Sequence, residues 1–441
     1  MANELAAVVM AAGLGTRMRS AVPKHLHPLL GRRMVDWVIE SARPLGAAPL
    51  VVVCSPDTRG AFDGLAVAVQ EKPLGTGDAV RAARAALEDQ ADDVLVLSGD
   101  TPLLTSALLG ELLSTHRSER AAATVLSFSP ADVRSYGRIV RDGGGRLRAI
   151  VEAGDASPDE LEIREVNSSI YVFQAEKLWP ALGRLEPKNV QGELYLTDAV
   201  RHLVDDGDVV AVHQASDPAE TEGVNTRAEL AAAASALRDR VNDAHMLAGV
   251  TIVDPATTWI EAGVEIEPDV VIRPFTELRG ATRIASGAEV GPHVVAIDAT
   301  VGPKATVGPF CYLRPGAVLG AGSKAGAFVE IKKSTIGAGA KVPHLSYIGD
   351  AEIGEGSNIA AGNITANFPP QPDLPKQRTT IGKNVKTGIH NSFVAPVEIG
   401  DDSWIAAGSV ITDDVPPGSL AGFPPRQATK EGYVYRERDD S

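Results

Sequence analysis

From residue 266 onward, aliphatic residues return at every sixth position. One run is Ile266, Ile272, Leu278, Ile284 and Val290, and the next is Val301, Val307, Leu313, Leu319, Ala325 and Ile331. Ile336, Val342 and Ile348 follow, and then Ile381, Thr387, Phe393, Ile399, Ile405 and Ile411. Neither the 3.6-residue turn of an α-helix nor the two-residue alternation of a strand produces this spacing. A period of six is that of a parallel β-helix, in which each hexad builds one face of a coil. One aliphatic side chain per face points inward, and glycine serves the tight corners. Of the 43 glycines, 24 lie beyond residue 248. A narrow interior also explains why only 5% of residues are aromatic. The five-residue step from Ile331 to Ile336 is absorbed at a corner. The segment 366–380 carries four prolines and breaks the period, so it is expected as an extruded loop.

The first half reads differently. A chain of 441 residues predicts two or three domains. Leu5–Met10, Leu50–Cys54 and Val94–Leu97 are short apolar runs suited to buried parallel strands. Met34–Ala42 and Asp78–Leu87 carry helical patterns between them. Strands alternating with helices imply βαβ units and a largely parallel sheet, whose ligands bind beyond the carboxyl ends of the strands. The Ala-rich stretch 226–247 predicts a long helix that links two domains, and it is also compatible with a last helix of the first.

Charge narrows the partners. With 42 basic and 57 acidic residues the net charge is −15, which excludes nucleic acid as the main partner. Small anionic substrates remain open if a few cations act locally. Two cysteines exclude a disulfide scaffold and a multi-cysteine zinc site. No apolar run reaches about 18 residues, so no spanning helix is expected. The first apolar run follows Glu4 and ends in Gly13-Leu14-Gly15-Thr16-Arg17, unlike a signal peptide. The expected location is the cytoplasm, with no membrane partner.

The motif Ala11-Ala12-Gly13-Leu14-Gly15-Thr16-Arg17-Met18 follows the first strand directly, with Pro23-Lys24 close behind. Such a loop lets backbone N–H groups approach a nucleotide, and Lys24 can neutralise phosphate as a point cation. Each residue has a plainer reading alone. Lys24 would be a solvated lysine, Asp100 a helix cap and His344 a structural histidine.

Together these residues resemble the sugar-nucleotide pyrophosphorylases. From about residue 5 to 432 the chain is similar to the bifunctional family that joins an N-acetylglucosamine-1-phosphate uridyltransferase to a glucosamine-1-phosphate N-acetyltransferase. The resemblance implies an α/β architecture in three parts. A Rossmann-like nucleotidyltransferase domain spans 1–225, a linker helix 226–247, and a left-handed parallel β-helix of hexapeptide repeats 248–441. It implies that Met10, Ala11, Ala12 and Gly13 contact UTP and the UDP-sugar, and that Gln70, Gly75 and Thr76 read the uracil. Ser98 and Gly99 lead to Asp100, which with Asn225 would hold Mg²⁺. Gly137, Glu152 and Asn167 would hold the sugar, with Thr197 beside them. Lys24 and Arg17 would neutralise the phosphates while the sugar phosphate attacks the α-phosphorus of UTP and pyrophosphate leaves. Thr226 stands where the family usually has a second Asn, and Ser169 where it commonly has Gly.

The hexad region resembles the left-handed β-helix acyltransferases, which form trimers with sites in the grooves between coils. His344, in Lys-Val-Pro-His-Leu-Ser-Tyr, matches their catalytic base, since a neutral imidazole can take a proton from an amine at pH 7. Arg314 and Lys332 match phosphate-binding positions, and Tyr347 and Asn358 match sugar contacts. Ala361, Asn367, Phe368 and Ala407 match the acetyl-CoA site and its loop. The implied partners are small molecules (UTP, sugar-1-phosphates and acetyl-CoA), with a homotrimer as the assembly. Three places depart from the family. Asn367-Phe368-Pro369-Pro370 replaces Asn-Tyr-Asp-Gly, Ile389-His390 replaces Ser-Asp, and Pro424 stands where a basic residue is expected, with Arg426 two residues on. An alternative is therefore a uridyltransferase whose altered acetyltransferase half serves mainly to hold a trimer together.

Overall fold

The computed structural model describes residues 3–13, 15–133, 135–368, 375–422 and 427–435. Pro424, Arg426 and the prolines at 369, 370 and 372 lie outside them. The chain forms two compact units, Met1–Leu237 and Arg238–Ser441.

The first unit is built on a twisted sheet. Its strands are β1 (Asn3–Met10), β2 (Leu50–Cys54), β3 (Ala66–Val69), β4 (Ala91–Ser98), β5 (Ala123–Phe128), β6 (Arg138–Arg141), β7 (Leu147–Val151), β8 (Val166–Gln174) and β9 (Val210–Gln214). The main order is β9-β5-β8-β4-β1-β2-β3, and the hairpin β6–β7 joins at β8. All main pairs are parallel except those of β8, which runs antiparallel to β4 and β5. Alternation explains the continuous apolar run of β1. Ala6 and Val8 enter one core with Val80 and Val200, while Leu5, Ala7 and Val9 enter the other with Val38 and Leu109. Helices thus cover both faces. The expected helix over 78–87 is two pieces, Thr76–Ala82 and Arg84–Leu87, broken at the fully buried Ala83.

The helix Arg227–Leu247 starts from a capping box. Glu229 N–H donates to Thr226 Oγ1 at 3.2 Å, and Thr226 N–H donates back to Glu229 Oε2 at 3.0 Å. Within the first unit Leu237 and Ala233 pack beside Met34, and within the second Val241 and Met246 pack on the hexad core.

The second unit is a parallel β-helix. Short strands stack into three parallel faces. Equivalent residues on successive coils are 17 or 18 apart, so the short hexads are absorbed without loss of register. Across the proline segment the step is 28, and the ladder on either side of it stays in register. Ile272, Leu278, Ile284 and Val290 are all buried, whereas Ile266, in an early coil, is half-buried. Each buried aliphatic contributes about 1.5–3 kcal/mol. One expectation is corrected here. Each face takes two inward residues, because the position two before the aliphatic one is buried as well. It holds a small or short polar residue, such as Ala305, Ala317, Ser334, Ala351 or Asn363. The polar ones satisfy corner carbonyls. Ser334 Oγ donates to Lys332 O at 2.8 Å, and Asn363 Nδ2 to Ala360 O at 2.6 Å.

Candidate active sites

The strand ends of the first unit bring distant residues to one point. Gly99 follows β4, and its N–H donates to Met10 O at 2.9 Å, tying the ends of β1 and β4 together. A Cβ on Gly99 would lie 2.7 Å from that oxygen, so only glycine fits. Asp100 comes next. Lys24 Nζ is bonded to Asp100 Oδ2 and donates to Asn225 Oδ1 at 3.0 Å. Arg17 Nη2 donates to the same Asn225 oxygen at 3.0 Å, and Ser98 Oγ to Asp100 Oδ1 at 2.6 Å. Lys24 is buried, not a solvated lysine. Burial works against ionising Asp100, yet Lys24, His25 and the hydrogen bonds from Lys24 and Ser98 bring its pKa down to about 2. A carboxylate oxygen and an amide oxygen therefore converge on a cation. Two hard oxygens of this kind fit Mg²⁺, which arrives largely ligated by water and nucleotide phosphates and needs few protein donors. The capping box fixes Asn225 as well, since its N–H donates to Glu229 Oε2 at 2.6 Å.

The neighbouring turn holds Gln70. Its Nε2 donates to Gly75 O and to Asp78 Oδ2, both at 3.0 Å. Gly75 has φ +110°, and Gly77 N–H bonds Leu194 O at 2.8 Å, which presses the Gly-Thr-Gly turn onto Leu194. Thr76 Oγ1 accepts from Leu196 N–H at 3.0 Å.

Beside this lies a cavity of about 190 Å³, lined by Met10, Thr76, Glu152, Ser169, Tyr195 and Thr197 among others. Asn167 Nδ2 donates to Tyr171 Oη at 2.7 Å beneath it, and Thr197 Oγ1 to Glu152 Oε1 at 3.3 Å. A Cβ on Gly137 would stand 3.3 Å from Glu152 Oε2. Burial raises the Glu152 pKa, the Thr197 hydroxyl opposes this, and Asp155, Asp198 and Glu193 reinforce it. Ser169 adopts φ +62°, a conformation that glycine takes freely.

The second unit arranges its candidates in columns. Gly362 N–H bonds His344 O at 3.4 Å, His390 N–H bonds Ala361 O at 2.9 Å, and Gly408 N–H bonds Ile389 O at 2.8 Å. His344, Ala361, Ile389 and Ala407 thus occupy equivalent places on four successive coils, along one corner. Asn358 stands on the face before that corner, in register with Lys341 and Lys386. Arg314 and Lys332 stack on adjacent coils of the next face, where Tyr347 lies against Gly349. Arg314 Nη1 is 2.8 Å from Glu330 Oε1. Asn367 is bonded to Asp350 at the far end of that face, and Phe368 is exposed there under Lys376 Nζ, 4.7 Å from its ring centroid. One chain therefore gathers Arg314, Lys332, Tyr347, Asn367 and Phe368 on one face, and His344, Ala361 and Ala407 at its leading corner.

The comparisons with known proteins agree with both halves. A MobA-like NTP transferase domain matches residues 7–134. The bifunctional protein GlmU of Mycobacterium marinum is 45% identical, over 99% of this chain and 94% of its own. That of Mycobacterium tuberculosis is 46% identical, over 100% and 94%. The GlmU of Mycolicibacterium vanbaalenii is 44% identical over the same shares. The chain belongs to the GlmU family.

Within this GlmU-family chain, three residues near the sites carried no signal in the motifs. His25 is buried against the loop, where a Cβ on Gly13 would meet its Cε1 at 3.7 Å. Burial, opposed by Asp100 and helped by Lys24, lowers its pKa to about 4, so it is neutral at pH 7. Gly223 leaves room beside Asp100, since a Cβ at this position would stand 3.5 Å from Oδ1. Lys376 follows the proline segment and contacts Lys332. That contact, then desolvation, then the charges of Lys376 and Arg314 lower the Lys332 pKa, against Asp350. Cations crowded in this way call for an anion between them. Spacing from Pro375 alone could not reveal this. Among the described residues no helix is long and apolar enough to cross a membrane.

Proposed function

We propose that the chain makes UDP-N-acetylglucosamine in two steps. Acetyl transfers from acetyl-CoA to glucosamine-1-phosphate in the second unit. Uridyl transfer from UTP to the resulting N-acetylglucosamine-1-phosphate follows in the first. The observation that carries this is the convergence of Lys24, Asp100, Asn225 and Arg17 at the strand ends of a chain 46% identical to a GlmU over 94% of that relative.

For uridyl transfer, Asp100 and Asn225 would hold Mg²⁺, which draws charge from the phosphate oxygens when bound. Lys24 and Arg17 bind the phosphates of UTP and orient its α-phosphorus. Glu152, Asn167 and Gly137 position the sugar, so that its phosphate oxygen lies in line with the departing pyrophosphate. The P–O bond to that oxygen forms as the bond to pyrophosphate breaks. No protein group becomes covalently attached.

For acetyl transfer, His344 accepts a proton from the amine. The nitrogen attacks the thioester carbon, the C–S bond breaks, and CoA leaves as the thiolate, to which His344 returns the proton. Arg314, Lys332 and Lys376 bind the sugar phosphate, with Tyr347 and Asn358 at the sugar. Asn367 and Phe368 shape the adjoining loop. Ala361 and Ala407 line the coenzyme's path. The reading with a silent acetyltransferase is not favoured, because His344, Ala361 and Ala407 keep one column despite Ile389 between them. A homotrimer working in the cytoplasm belongs to the same reading.

Purified protein given glucosamine-1-phosphate and acetyl-CoA should release CoA thiol. His344→Ala should abolish that release and leave uridyl transfer intact, and Asp100→Ala should do the opposite. Wild-type protein that releases no thiol while transferring uridyl would overturn the two-step reading.

A further inference from the structure

Beside the His344 corner runs a second column, three residues earlier on each coil. It holds Lys341, Asn358, Lys386 and Trp404 in strict register. Trp404 is 52% exposed, although an indole gains most from burial. Lys386 Nζ lies 6.0 Å from the centre of its ring. Lys386 is exposed, and among the described residues no carboxylate lies within ion-pair distance of it. Ile389 and Ala407 lie three residues past these two, forming a smooth apolar track from His344.

We propose that Lys386 and Trp404 bind the nucleotide end of the acyl donor, the ammonium taking its phosphates and the indole stacking on its purine. This rests on the acetyl-CoA reading above and names the residues that would hold the far end of that donor. The dimensions support it. Coils repeat about every 4.8 Å, so the Trp404 coil stands about 14 Å along the axis from that of His344. An extended pantetheine arm covers such a distance. Ala361, Ile389 and Ala407 present only alkyl groups along it, which suits the apolar stretches of that arm. A cation followed one coil later by an exposed aromatic plane is the pairing that phosphate and base require together. Ile389 removes any side-chain hydroxyl from the track, so the grip on the donor must come from its ends. Below this level the column turns to Lys341 and Lys324, and below those to Thr306 and Glu289. Among the described residues of this column, only Lys386 and Trp404 combine a cation and a ring on the side of Ile389 and Ala407.

The test compares two donors in the full-length enzyme, acetyl-CoA and S-acetyl-pantetheine, which lacks the nucleotide. In the double variant Lys386→Ala/Trp404→Ala, the KM for acetyl-CoA should rise at least about tenfold. The KM for S-acetyl-pantetheine should move less than about twofold, and Trp404→Phe should restore most of the acetyl-CoA affinity. Unchanged turnover of S-acetyl-pantetheine confirms that the second unit is folded. The proposal is overturned if both donors weaken equally, if neither does, or if the variant's sedimentation coefficient falls, since Trp404 would then be a contact between copies. Should wild-type protein transfer acetyl from neither donor, the acetyl-CoA reading itself fails. Tryptophan fluorescence then decides this site. Adenosine 3′,5′-bisphosphate should quench wild type and not Trp404→Phe, and equal quenching in both would overturn the assignment.

Discussion

Lys24 Nζ stands 3.0 Å from Asn225 Oδ1, so residues 201 positions apart meet in one hydrogen bond. The same ammonium holds Asp100, which is largely buried. Removing one partner of a buried pair typically costs about 3–5 kcal/mol, because the other charge is stranded. Lys24→Met should therefore lower the melting temperature when Mg²⁺ is chelated, and Mg²⁺ with UTP should restore part of the loss. Uridyltransferase kcat/KM should fall by about 10²–10³. A melting temperature that ignores both substitution and chelation would show that Asp100 does not depend on this cation.

Glu152 titrates in the opposite sense. Burial raises its pKa, so the fold disfavours its charged form and that cost grows as pH rises through the raised value. Glu152→Gln keeps the shape and removes the charge. The variant should melt above wild type at pH 8, and the gap should close as pH falls below about 4.3. The sugar-phosphate KM should rise about tenfold or more, as a charged hydrogen bond is lost. Thermal scans across pH, paired with initial rates, check both signs.

Thr226 stands beside Asn225, whose Oδ1 accepts from Lys24 and Arg17. Its hydroxyl caps the helix Arg227–Leu247 by accepting from Glu229 N–H. Thr226→Ala should cost about 1 kcal/mol. Because Glu229 also holds Asn225, the Mg²⁺ concentration for half-maximal uridyl transfer should rise severalfold. Thr226→Ser should behave as wild type in both titrations.

Two glycines with positive φ should respond unequally to alanine. At Gly75 a Cβ would sit 2.6 Å from Leu194 O, whereas at Gly46 nothing lies within 4 Å. Gly46→Ala should cost only the left-handed backbone penalty of about 1–2 kcal/mol. Gly75→Ala must also displace backbone, and should raise the KM for UTP at least about tenfold in steady-state assays.

The hexads were legible because one aliphatic residue marks every coil face. The second inward position was not, since Ala305, Ser334 and Asn363 share size and no hydropathy. The parallel strands of the first unit showed as apolar runs, but nothing in Val166–Gln174 marks its reversed direction. Ala83 favours helix, so nothing local marks the break between Ala82 and Arg84. In the sites, Gly13, Lys24 and His344 stood in local motifs. His25, Gly223 and Lys376 are brought in by tertiary packing, and local spacing holds no trace of that.

The 28-residue step across the proline segment shows how such a scaffold tolerates change. The coil acts as a phase-locked counter. The 28-residue step leaves every later described residue in phase, so His344 and Ala407 remain aligned. A single residue added within a face would rotate all that follows it and scramble the columns at once. Length polymorphism in this half of the molecule is thus expected at the corners, as loops or as whole coils, while the faces stay uniform in count.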